Sequence, residues 1–136
     1  MTMMIETFED LLRAAHAQPE PQRLLFVFAG AELPEDSTPE QRLLFEAGEG
    51  GALVPLMSVD KAPGELTGFG TLVEESLEFA PGWAVVFVAG LAGREGRAPS
   101  GDEADHALKR MIESVKSGQF GAFMPFDRQG VPILFD

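Results

Sequence analysis

Two stretches of the chain are apolar without interruption and nearly alike: RLLFVFAG at 23–30 and WAVVFVAG at 83–90. Neither alternates. A run of that kind fits a strand covered on both faces, an interior strand with no wet side. Each run comes after a helical pattern. From Thr7 onward, Phe8, Leu11, Leu12 and Ala15 recur at helical spacing, Thr7 is placed to cap, and Glu9 and Asp10 fall in the first turn. QPEPQ at 18–22 ends that helix, because proline cannot continue it. Phe69, Leu72, Val73, Ser76 and Leu77 repeat the pattern before the second run, with Pro81-Gly82 as the break.

The segments downstream of the two runs are also alike. After the first run comes the loop AELPEDSTPEQ, then a helix capped by Thr38 with Pro39 at its first position, running through Gln41–Ala47 to Gly48. ALVPLMSV reads as the next strand, and Pro55 makes it an edge or a bulged strand because it removes a ladder donor. After the second run come a loop at 90–101, a helix from Asp102 to Ser117 with Gly118 just past its end, and a strand over Ala122–Phe126. DRQG and VPILFD then close the chain as a hairpin.

LLFVFAG matches AVVFVAG, Leu12 matches Leu72, and GALVPL at 51–56 matches GAFMPF at 121–126. The sequence is therefore expected to hold an αβαβ unit used twice, with halves 1–66 and 67–136 joined by a pseudo-two-fold within a single domain over 1–136. The fold class is α/β: a mixed sheet of about five strands with about four helices. Helical connections between strands lead to the expectation of some parallel pairing through right-handed crossovers.

Composition narrows the function. The chain has 136 residues, is 45% hydrophobic and contains 11 Phe, enough to build a core. A net charge of −12 argues against nucleic acid and anionic membranes as partners and leaves room for basic ones. The absence of Cys removes disulfides, thiolate nucleophiles and the usual structural zinc sites. No apolar run reaches the roughly 20 residues of a membrane span. The first residues carry acids before any base, unlike a signal peptide, so a cytoplasmic protein is expected.

Candidate chemistry concentrates in GLAGREGRAPSG at 90–101. Gly93 and Gly96 permit close backbone approach, Arg94 and Arg97 offer planar cations, and Ser100 can cap a helix whose free N–H groups favour an anion. The spacing is neither a Walker loop nor a dinucleotide fingerprint, and Asp102 and Glu103 sit at the same helix start, so a plain surface loop is the competing reading. Asp102, Asp105 and His106 share a helical face as a metal or acid–base set, or simply as a solvated surface. Glu74, Glu75 and Glu78 form an acidic stripe. The Phe-rich end, with Phe120, Phe123, Phe126 and Phe135, reads as core, and Val131–Phe135 as an edge that a second copy could extend. No catalytic residue, metal or cofactor is expected.

LLRAAHAQPEPQRLLFVFAGAELP, GEGGALVPLMSVDKAP and PFDRQGVP, taken together, resemble a family of short proteobacterial proteins over nearly the whole length. Some members carry the label ribonucleotide reductase alpha subunit. That label implies a large barrel with cysteine radical chemistry; a chain of this size without Cys has no residue to which that chemistry transfers. FEDLLRAA followed by GALVPLMS is similar, more weakly, to the N-terminal domain of SseB-type proteins, which implies an α/β interaction module. The leading functional expectation is thus a non-enzymatic interaction or regulatory module binding another protein or itself. The alternative is a binder of a small anion, or an enzyme acting on one, through the loop at 90–101.

Overall fold

The computed structural model describes residues 7–32, 38–40, 52–66 and 68–133. The elements are α1 (Phe8–His16), β1 (Gln22–Glu32), β2 (Ala52–Lys61), a 3-10 turn (Pro63–Glu65), α2 (Phe69–Phe79), β3 (Val85–Ala92), α3 (Gly101–Lys116) and β4 (Met124–Phe126). They build an α/β fold around one four-stranded sheet of order β2-β1-β3-β4. The two apolar runs are its central pair, as the unbroken hydrophobic pattern requires.

Alternation within β1 divides the core. Leu24, Phe26 and Phe28 point to the layer of α1 and α2, where Phe8, Leu11, Phe69, Leu72, Trp83 and Phe126 fill the space. Leu25, Val27 and Ala29 point to the opposite layer, against Ala104, Leu108, Met111 and Val115 of α3. Both sides of the sheet are therefore dry over Leu24–Ala29 of β1 and Val85–Val88 of β3. Phe8 is the hub of the first layer, with ring centroids 4.8 Å from Phe69, 5.9 Å from Phe126 and 6.1 Å from Phe26. On the other side Phe87 stacks on Phe120 at 4.8 Å. Of the Phe-rich end, Phe126 is core, and Phe120 and Phe123 are half-buried and pack against the α3 layer; Phe135 lies outside the described residues.

Every pairing in the sheet is antiparallel. This corrects the expectation of a mixed sheet with some parallel strands. Continuous burial reports that a strand has two covered faces; it carries no record of strand direction, which the connections decide. β1 and β3 run in opposite senses about Val27 and Phe87, which face each other. β2 is an edge strand, and the register slips between Phe28 and Ala29: Met57 pairs with Phe28 and Pro55 with Ala29, leaving Leu56 as the extra residue. A proline that cannot donate sits where a bulge and an edge tolerate it.

Of the expected fifth strand over 131–136, the described residues show a bridge between Phe126 and Pro132, with Asp127 N–H donating to the Val131 carbonyl at 2.9 Å. The Asp127 carboxylate accepts from the backbone N–H groups of Gln129 and Val131 and so fixes the turn. Among the described residues three complete α-helices are seen where about four were expected. Pro39 and Glu40 are helical, and the rest of the helix read over Gln41–Ala47 lies outside the described residues.

The helix caps agree with the sequence. Thr7 Oγ1 accepts from Asp10 N–H at 3.2 Å. Glu9 reaches across to accept from Phe69 N–H at the start of α2. Ser76, the one buried polar residue in the described core, accepts from Trp83 Nε1 at 2.7 Å and donates to the Val73 carbonyl at 2.7 Å. Arg128 closes this end: its guanidinium lies 5.5 Å from the Trp83 ring centroid and donates to the Trp83 and Pro81 carbonyls.

Candidate functional site

The loop at 90–101 is shorter than the sequence suggested, because β3 extends through Ala92. Arg94 and Arg97 then pair across a two-residue turn, N–H to carbonyl at 3.0 and 2.9 Å in the two directions. Glu95 and Gly96 occupy its tip with φ of 53° and 76°. Two consecutive left-handed residues are what a tight antiparallel turn of this hand demands, and glycine serves the second position without strain. Gly93 is needed for a different reason: a Cβ there would stand 1.8 Å from the Arg97 carbonyl oxygen.

Backbone N–H groups of this loop and of the helix start after it are engaged from within the chain. Gly93 N–H donates to the Pro21 carbonyl at 2.8 Å, and Gly96 N–H donates to the Glu20 carboxylate at 2.8 Å. Ser100 caps α3 in a reciprocal box, its Oγ accepting from Glu103 N–H at 3.1 Å while Glu103 accepts from Ser100 N–H at 3.3 Å. The Ser100 N–H donated to it, and after that the Ser100 hydroxyl beside it, hold the Glu103 carboxyl below its ordinary range. Arg94 pairs with Glu103 at 3.5 Å and is largely exposed. The Arg97 side chain is exposed and has no ion-pair partner among the described residues. The structure thus gathers Gly93, Arg94, Gly96, Arg97 and Ser100 into one turn and cap, with two carboxylates, those of Glu20 and Glu103, already on its donors.

Two other surfaces have more room for a partner. The first is a cleft of about 330 Å³ beside the last residues of β3. Leu25, Ala89 and Leu91 line it from the sheet, Met111 and Arg110 from α3, and Phe123 from the segment before β4. The second is the exposed surface at the C-terminal end of α2. Phe79 at its C-terminal end is 71% exposed and Leu77 is 37% exposed. Glu74 and Glu78 are exposed on the same helix, whereas Glu75 is paired with Lys61 at 2.9 Å. α2 contains no basic residue.

Asp102, Asp105 and His106 are all exposed on α3. Among the described residues, no three His, Asp or Glu side chains gather as a metal site. No described helix is long and apolar enough to cross a membrane. Val131, at the start of the expected C-terminal edge, is 54% exposed, and residues 134–136 lie outside the described residues.

Sequence reasoning missed the cleft because its lining comes from distant segments and Arg110 is, by pattern, an ordinary solvent-facing helix residue. Phe79 carries no local signal of exposure: it follows Ser76 by three residues and Leu72 by seven, on the apolar stripe of α2, so the pattern alone reads it as core, yet at the helix end it is 71% exposed. The chain matches no protein-family model, no curated protein and no solved structure.

Proposed function

We propose that the protein is a non-enzymatic interaction module whose partner docks at the exposed C-terminal end of α2. Exposed Phe79 is the observation that carries this reading. Large aromatic side chains at a surface supply anchor area at low entropic cost, and they dominate binding where they are used. The neighbouring charges indicate the partner's chemistry. Glu74 and Glu78 are exposed, with no ion-pair partner among the described residues, on a helix without a base, in a chain of net charge −12. A basic, amphipathic segment with an apolar anchor complements that surface, and like charge opposes a second copy. An interaction role is also what the resemblance to SseB-type domains implies. The strand order β2-β1-β3-β4, with Val27 opposite Phe87 at matched positions of the two runs, supports reading halves 1–66 and 67–136 as copies of one unit.

The test is a titration of an amphipathic Lys/Leu helical peptide into the wild type and into Phe79→Ser. The wild type is expected to bind it, and more weakly as salt rises. Phe79→Ser is expected to weaken binding by roughly tenfold or more, with its stability within about 0.5 kcal/mol of wild type because the side chain is exposed. Equal affinity for both proteins contradicts the reading. A sedimentation profile in which the wild type is a dimer and Phe79→Ser a monomer would instead assign this surface to self-association.

A further inference from the structure

We propose that the cleft between the end of β3 and α3 binds a small amphipathic carboxylate, its apolar body against Leu25, Leu91 and Met111 and its carboxylate on Arg110. The cleft is separate from the α2 surface and shares no residue with it. A volume of about 330 Å³ falls at the lower end of the range for small-molecule sites, which are mostly apolar with a few polar groups that fix orientation. This cleft has that composition. Its walls are aliphatic, thioether and aromatic, and Arg110 is the one charged side chain lining it. Arg110 is exposed and has no ion-pair partner among the described residues, in a protein where acids outnumber bases 22 to 10. An unclaimed guanidinium beside an apolar wall selects a ligand with a planar anionic head and an apolar tail, because its paired donors match a carboxylate in two-point contact.

The other lining groups sharpen that choice. Ser114, one turn beyond Arg110, donates its hydroxyl to the Arg110 carbonyl at 3.1 Å, which leaves the guanidinium as the side-chain donor available to a ligand. No Asp, Glu or His lines the cleft, so it offers a metal ion nothing to bind. A single cation also falls short of what a polyphosphate or nucleotide requires. The ligand is therefore a monoanion whose remaining surface is hydrocarbon or aromatic.

The experiment is a titration of octanoate into the full chain, observed by isotope-edited NMR, with octanol and acetate as comparators. Octanoate is expected to shift the methyl signals of Leu25, Leu91 and Met111 and to bind roughly tenfold or more tightly than either comparator, since a charge-assisted hydrogen bond and an apolar contact are each lost in one of them. Arg110→Gln is expected to weaken octanoate to the level of octanol. Ala122→Phe, at an exposed lining position, is expected to fill the cleft and abolish the shifts. Both positions are on the surface, so both variants keep the wild-type unfolding curve. Octanoate binding no tighter than octanol, no effect of Arg110→Gln, shifts confined to Arg94–Ser100 or to Phe79, or no shifts at all would each overturn the assignment.

Discussion

Replacing Phe26 by alanine, and separately Phe87 by alanine, is expected to destabilise the protein by about 3–5 kcal/mol in each case. Both side chains have 0% exposure, yet they lie in different layers. Phe26 packs toward α1 and α2 beside Phe8, and Phe87 packs toward α3 with its ring stacked on Phe120. Deleting either ring removes its transfer energy and leaves a cavity that two interlocked strands cannot collapse. Against a total stability of about 5–15 kcal/mol, either loss is a large fraction. Urea unfolding midpoints measure it. Equal, large shifts are the mark of a sheet dry on both sides. A near-neutral Phe87→Ala would mean that α3 does not cover the sheet, and the cleft between them would go with it.

The second large effect is expected at Gly93. Its substitution by alanine would put a Cβ 1.8 Å from the Arg97 carbonyl oxygen and 3.0 Å from that of Pro21. Both obstacles are backbone, so neither can swing aside. Relief requires breaking the Gly93–Pro21 hydrogen bond, the pair across the Arg94–Arg97 turn, or all three bonds, a cost of about 2–4 kcal/mol. Gly96 is the control. It needs its left-handed φ of 76° but has open space around it, so Gly96→Ala should cost only about 1–2 kcal/mol. Thermal unfolding of the two variants should rank them in that order. The reverse order would mean that Gly93 is required for its conformational range and that the turn is packed differently.

These two sites also mark what the sequence could and could not convey. The covered central strands were legible in RLLFVFAG and WAVVFVAG because burial on both faces erases polar alternation, and that signal is local. Thr7, Ser100 and Pro55 were legible for the same reason: caps and edge prolines act on neighbouring backbone. Strand direction was not legible, since an interior strand has the same composition whichever way its neighbour runs. The glycines and arginines at 93–97 were visible as types, but their partners were not. Glu20 takes the Gly96 N–H from across the fold, and nothing in either segment announces that contact. The Arg110 cleft is an extreme of this kind, assembled from β1, β3, α3 and the segment before β4.

The antiparallel centre of the sheet positions the turn, the cleft and the exposed end of α2 alike, and cross-strand NOEs between β1 and β3 test it directly. Backbone contacts are expected to run in opposite order along the two strands, Leu25 with Ala89, Val27 with Phe87 and Ala29 with Val85. Contacts that ascend together along both strands, as in a parallel pair, or their absence between these residues, would contradict the architecture.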